Sequence, residues 1–201
     1  MKILGLSLSP RCEGNSDLLL RAALHSAQTQ GAETEHLWIG DAHIHSCTAC
    51  RFCDTTGSCK FQDDHQIWVN RLMQADRLIV ATPVFFASVP AQAKVFIDRC
   101  QPQWVQRFRL DPSMVLRTTE KRGAAVLTVA GSHSQEHAEC IHQLMMVFLA
   151  ALGFSYWADL FVSGVAGRGA IEEHPDALRE VRRIGRLLID EAPTTPYTKK
   201  L

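Results

Sequence analysis

The chain has 201 residues, enough for one sizeable core and short for two. Hydrophobic residues make up 46 % of it, which argues against disorder, and 21 basic side chains balance 21 acidic ones. That balance points to neither a nucleic-acid nor an anionic-membrane partner, and no apolar run approaches the roughly 20 residues that span a bilayer.

Lys2 to Leu8 is a short apolar run that ends in Ser9-Pro10. It lacks the small-residue cleavage site of an export signal, so a buried first strand and a cytoplasmic location are expected. Asn15 and Ser16 offer N-cap oxygens to a helix whose apolar side is Leu18-Leu19-Leu20, Ala23, Leu24 and Ala27, stopped by Gly31. Glu33 to Ile39 reads as a second strand. Asp63-Asp64 caps a helix through Ile67, Val69, Leu72 and Met73, and residues 76–81 form a strand ending at Thr82-Pro83. A helix is expected from Ala91 to about Val105, and a long polar loop from Arg107 to Arg122, part of which could cover a ligand. Gly123 to Ala130 is the next strand, ending at Gly131-Ser132-His133. It is followed by a helix over 136–152, a strand over 154–162 and a last helix from Pro175 to Ala192. Apolar strands alternating with helices predict an α/β fold with a parallel sheet covered on both faces. Ligands of such sheets lie at the carboxyl ends of the strands, which selects the loops starting at Ser9, Thr82 and Gly131.

Four of the seven cysteines fall in one stretch, Cys47, Cys50, Cys53 and Cys59, spaced C-x2-C-x2-C-x5-C. Without an export signal this reads as a metal site in a reducing cytoplasm and not as disulfides. Four thiolates suit zinc or an iron–sulfur cluster by ligand type. The successive x2 spacings lean toward a [4Fe–4S] cluster, with zinc, a vacant thiol site and a redox disulfide as alternatives. His43, His45 and His65 flank the motif, but four thiolates already complete a tetrahedral set. Cys100 and Cys140 fall on predicted helices and are expected to be buried thiols. Trp38, Trp68, Trp104 and Trp157 sit at apolar positions, as core or interface residues.

The loop Ser9-Pro10-Arg11-Cys12-Glu13-Gly14-Asn15-Ser16 has small polar residues, a cation and a helix start, all suited to a phosphate. It is neither a Walker loop nor G-x-G-x-x-G. It resembles the phosphate loop of the NAD(P)H-dependent FMN reductases. Thr82-Pro83-Val84-Phe85-Phe86 and Lys94-Val95-Phe96-Ile97-Asp98-Arg99 resemble that family's later segments. With the cysteine motif in place, the first half of the chain is similar to the iron–sulfur flavoproteins.

The resemblance implies one flavodoxin-like domain. Its five parallel strands would run in the order 2-1-3-4-5, with helices on both faces and a cysteine-rich loop, residues 40–64, inserted after strand two. It further implies that Ser9, Arg11, Asn15 and Ser16 hold the FMN phosphate. Pro83, Val84, Phe85 and Phe86 would line one side of the flavin ring, and Gly131, Ser132 and His133 the other. Phe85 stands where the family usually has Tyr, so a hydroxyl is lost. His133 beside the ring would favour reduced, anionic flavin. Asp98 and Arg99 would form a surface ion pair or bridge to a second subunit, in a homodimer or higher homo-oligomer.

The function implied is electron exchange between a two-electron partner, including NAD(P)H, and a one-electron carrier such as ferredoxin. The alternative is an NAD(P)H-dependent FMN or quinone reductase whose cysteines bind zinc or no metal. A flavin-binding regulator that senses oxygen or metal through its cysteines is a third reading.

Overall fold

The computed structural model describes residues 1–111, 113–116, 122–132, 136–190 and 196–201. β1 (Lys2–Ser7) is buried from Ile3 onward. Its Gly5 lets α1 (Asn15–Gln28) lie close, since a Cβ there would stand 2.6 Å from Leu24 Cδ1. β2 (Glu33–Trp38) is an edge strand, half-exposed as its charged residues require. A 3-10 turn (Ile39–Asp41) leads into the cysteine segment, whose one helical turn is α2 (Cys53–Thr56). α3 (Asp64–Gln74) starts in a capping box: the Asp63 side chain caps the first turn and Gln66 reaches back to the Asp63 backbone. β3 (Arg77–Pro83) precedes α4 (Ala91–Asp98) and α5 (Gln101–Val105). α6 (Ser113–Leu116), β4 (Gly123–Val129), α7 (Glu136–Leu152), β5 (Ser155–Val162), α8 (Pro175–Leu187) and β6 (Tyr197–Lys200) complete the order.

All neighbouring strands pair in parallel, in the order β2-β1-β3-β4-β5-β6. Because strand side chains alternate faces, Leu4, Leu6, Leu78 and Val80 pack with α3, α4 and α7 on one side. Ile3, Ile79, Ala81 and Leu127 pack with α1 and α8 on the other. This is the expected doubly wound, flavodoxin-like architecture. Among the described residues no helix is long and apolar enough to cross a membrane.

The structure departs from the sequence expectations at five places. The sheet has a sixth strand, β6, which Tyr-Thr-Lys-Lys hides because an edge strand pairing only with β5 needs no apolar run. The helix expected over 91–105 breaks at Arg99–Cys100. Pro102 has no N–H to continue the ladder and instead occupies the first turn of α5. The start of the expected loop is helical: Gln106–Leu110 forms a π turn and α6 follows, while residues 117–121 lie outside the described set. Cys140 is exposed, since the buried stripe of α7 runs through Ala138, Ile141, Met145, Phe148 and Leu152, and position 140 lies off it. Cys100 is buried as expected, and α8 stops at Leu187, short of Ala192.

Candidate functional site

At the end of β1 the chain turns sharply. Ser9 Oγ accepts from Arg11 N and donates to Arg11 O, both at 3.1 Å. Glu13 adopts a left-handed φ of 55°, and its N–H donates to Asp17 Oδ2 at 3.1 Å. Asp17 is fully buried and also meets His36 Nε2 at 2.7 Å and Arg21 Nε at 3.0 Å. Burial alone would raise its pKa, but these hydrogen bonds outweigh burial and hold the carboxyl well below the usual range. Trp38 Nε1, at the end of β2, donates to Ser9 O at 2.8 Å. The loop is thus shaped from beneath by one carboxylate and from the side by one indole.

Ser9, Arg11, Asn15 and Ser16 line a cleft of about 260 Å3 together with Pro83, Val84, Phe85 and Gly131. The three loops selected by the strand-end rule therefore do converge. Ser16 is 1 % exposed and its Oγ has no partner within the protein. An orphaned buried hydroxyl at a helix start, beside two arginines, fits a bound phosphate. Phe86 stands fully exposed and Ser132 is exposed, both outside the cleft wall; His133 lies outside the described residues. Phe85 and Ser88 exchange two backbone hydrogen bonds around Phe86 and Ala87, whose φ angles of 50° and 57° are strained for non-glycine residues. This turn forms an aromatic shoulder beside the cleft.

The loop after β5 was not selected from the sequence, yet Val165, Ala166 and Arg168 complete the wall. Asn15 holds that loop: its Nδ2 donates to Gly167 O at 2.7 Å and its Oδ1 accepts from Ile171 N at 3.3 Å. Arg168 leans over the first loop, with Nη2 3.4 Å from Cys12 O. The strand-end rule applied to β5, with its Gly- and Ala-rich continuation, would have found these residues.

The four clustered cysteines line a second cavity, of about 410 Å3, with Arg51, Lys60, Arg99, Arg109, Phe52 and Phe61 among its other walls. It shares no lining residue with the cleft. Ala49 and Arg51 turn the chain with φ angles of 50° and 61°, and Gly57, at 67°, ends α2 in the left-handed conformation that glycine permits. Gln106 Nε2 pins this turn by donating to Gly57 O at 2.6 Å. The thiols are not equivalent. The Phe52 N–H lowers the pKa of Cys50, with nearby Lys60 assisting, whereas burial raises that of Cys53, followed by the charges of Asp54 and the neighbouring thiolates. Among the described residues no three His, Cys, Asp or Glu side chains are gathered to clasp a single metal ion.

Asp63 and Arg99 hold the cysteine segment to the helices. Arg99 Nη1 and Nη2 reach Asp63 Oδ2 and Oδ1 at 2.7 and 3.1 Å, and Nη1 also donates to His45 O at 2.7 Å. Asp63 Oδ2 accepts from His45 N at 3.0 Å. The expected surface pairing of Asp98 with Arg99 is therefore wrong. Successive helix positions point about 100° apart, so Asp98 faces solvent and pairs with Lys94 at 2.7 Å, while Arg99 turns inward. His65 is also buried, 3.2 Å from Phe96 O and 3.5 Å from Cys100 Sγ, and burial lowers its pKa to about 4. His45 stacks on Phe61 and bonds Asp63.

A family profile described as NADPH-dependent FMN reductase matches residues 1–166. An iron–sulfur flavoprotein of Methanosarcina thermophila is 33 % identical over 150 residues, 73 % of this chain and 74 % of that protein. Another, from Methanocaldococcus jannaschii, is 39 % identical over 102 residues, and the chain spans about half that relative's length, 53 % of it. The solved NAD(P)H:quinone oxidoreductase of Methanothermobacter marburgensis is 19 % identical and superposes with a TM-score of 0.68, over 96 % of this chain and 99 % of that one, a likeness of fold. The phosphate-type cleft at the strand ends and the cysteine motif agree with these matches: the chain belongs to the NADPH-dependent FMN reductase family and, within it, to the iron–sulfur flavoproteins.

Proposed function

We propose that the protein holds FMN in the strand-end cleft and a [4Fe–4S] cluster on Cys47, Cys50, Cys53 and Cys59. In this reading it exchanges electrons between a two-electron partner such as NAD(P)H and a one-electron carrier such as ferredoxin. The observation that carries it is that the four thiols, spaced C-x2-C-x2-C-x5-C, all line one cavity. The successive x2 spacings favour a cluster over a zinc site built from two separated C-x2-C pairs.

A bound flavin takes up two electrons and releases them singly, and a cluster carries one. The chain's own part is to bind and orient. Ser16 offers a hydroxyl, Arg11 and Arg168 offer charge, and the first turn of α1 offers its N–H groups to the FMN phosphate, while the Ser9 hydroxyl braces the Arg11 backbone. Asn15 acts through the loop after β5, fixing the wall that carries Arg168. Pro83, Val84 and Phe85 present an apolar edge to the ring, opposite Gly131. Phe85 has no hydroxyl to offer, so any hydrogen bond a tyrosine would supply there is absent or replaced.

The test is iron, acid-labile sulfide and flavin analysis of protein purified without oxygen. About four irons, four sulfides and one FMN per chain are expected. Cys50→Ser is expected to lose the iron and sulfide and keep the FMN. A yellow preparation with FMN but no iron or sulfide would favour a flavin or quinone reductase instead, and a Cys50→Ser variant that loses flavin but keeps iron would refute the two-site assignment.

A further inference from the structure

One wall of the cysteine cavity is a buried arginine. Arg99 is 1 % exposed, the largest of the fully buried side chains. Its two terminal nitrogens are occupied by Asp63 and His45. Its third, Nε, is buried and has no partner within the protein. A buried donor left unsatisfied is costly, more so when charged, so such a group calls for an acceptor. Arg99 lines the same cavity as the four cysteines. An arginine side chain stays protonated in a protein, so this Nε–H remains a charged donor.

We infer that Arg99 Nε donates an N–H···S hydrogen bond to the iron–sulfur cluster, at the Cys59 sulfur or an adjoining sulfide, and thereby raises the cluster's reduction potential. The inference rests on the cluster assignment made above. Four thiolates make the cluster anionic, and reduction adds one more negative charge to it. A donor fixed at a sulfur, in a place shielded from water, stabilises that reduced form more than the oxidised one. Asp63 is the positioning residue: its two oxygens grip the guanidinium fork and aim the remaining N–H. Arg109 lines the cavity too, but its side chain is 53 % exposed and spent on Asp54 at 3.3 Å. Solvent screens it, and it serves as the comparison.

The experiment is an anaerobic redox titration, followed by electron paramagnetic resonance, on the full chain loaded with FMN and cluster. Arg99→Lys keeps the charge and removes the guanidinium fork. At full iron, sulfide and FMN content, its ratio of reduced to oxidised cluster at a fixed potential is expected to fall about tenfold, equivalent to about 59 mV for one electron. Arg109→Lys is expected to move the ratio less than about twofold, as screened surface charges do. An unchanged ratio in Arg99→Lys, or an equal shift in both variants, overturns the inference. Should Arg99→Lys fail to retain iron, unaltered protein with nitrogen-15 only in its arginine side chains decides. Its reduced cluster should show hyperfine coupling to an arginine nitrogen that survives in Arg51→Lys and Arg109→Lys, and absence of that coupling overturns the inference. Unaltered protein without iron or sulfide would refute the cluster assignment itself, before any potential is measured.

Discussion

The cleft and the cysteine cavity are held in opposite ways. The walls of the cleft grow from the ends of β1, β3, β4 and β5, and backbone bonds lace them together. Val84 N donates to Val129 O, Ala130 N to Val162 O, and Val165 N to Ala130 O. The sheet itself sets these positions, so the cleft is shaped before anything enters it. The segment from Ala42 to Asp63 has one helical turn, two left-handed non-glycine residues and two exposed cysteines. It is fastened chiefly by the side chains of Asp63, Arg99 and Gln106. A preformed pocket can wait for its ligand, whereas a loop tethered by a few side chains would gain further order from any group its thiols came to bind.

The largest expected effect comes from cutting the tether. Asp63→Ala removes the cap of α3, the partner of buried Arg99 and the acceptor of His45 N together. Breaking a buried pair on one side costs about 3–5 kcal/mol, which a urea titration would read as a lower midpoint. FMN affinity in the folded variant should stay near that of the unaltered protein. A large loss of FMN affinity would mean that the two sites are not separately held.

Next in size is the support beneath the phosphate loop. Asp17→Asn should cost about 2 kcal/mol at neutral pH, the scale of hydrogen bonds to a buried charge. The folded carboxyl has its pKa held down, so its contribution is fully present above the unfolded value of about 3.9 and is lost as pH falls through the folded value. The stability gap between unaltered protein and variant should therefore shrink below about pH 4, and a constant gap would remove Asp17 from the acid limb.

Arg168→Ala is the smallest of the three. Losing one charged contact to a phosphate at an exposed wall should weaken FMN about tenfold. Riboflavin, which lacks the phosphate, should bind as before. Equal losses for both flavins in a fluorescence titration would make Arg168 a support of the loop and not a phosphate contact.

These effects follow the line between what could and could not be read from residues in order. The central strands β1, β3 and β4 were legible because burial on both faces demands nearly unbroken apolar runs. That Ser9, Arg11 and Ser16 line one cleft and the four cysteines one cavity was legible because each set lies within a short stretch of sequence. Arg168 was not, because it reaches Cys12 O from the loop after β5, 156 positions further along the chain. Arg99 was misread as a surface residue because Lys94, Asp98 and Arg99 form a plausible exposed charge cluster. Only the packing of α4 against the cysteine segment shows which of the three turns inward. β6 was missed because Tyr-Thr-Lys-Lys carries no apolar pattern, whereas the exposure of Cys140 was readable from its place off the apolar stripe of α7.

By itself, then, the sequence determined the layered α/β fold, the strand-end position of the cleft and the identity of the four thiols, all consequences of local periodicity and spacing. The tertiary structure decided which distant side chains join them. Arg168 reaches the phosphate loop through Asn15, and Arg99 reaches the cysteines through Asp63, across 36 positions of sequence. Those meetings depend on how helices and loops pack in three dimensions. A buried guanidinium with one donor still free is a property of that packing, and no spacing of residues along the chain encodes it.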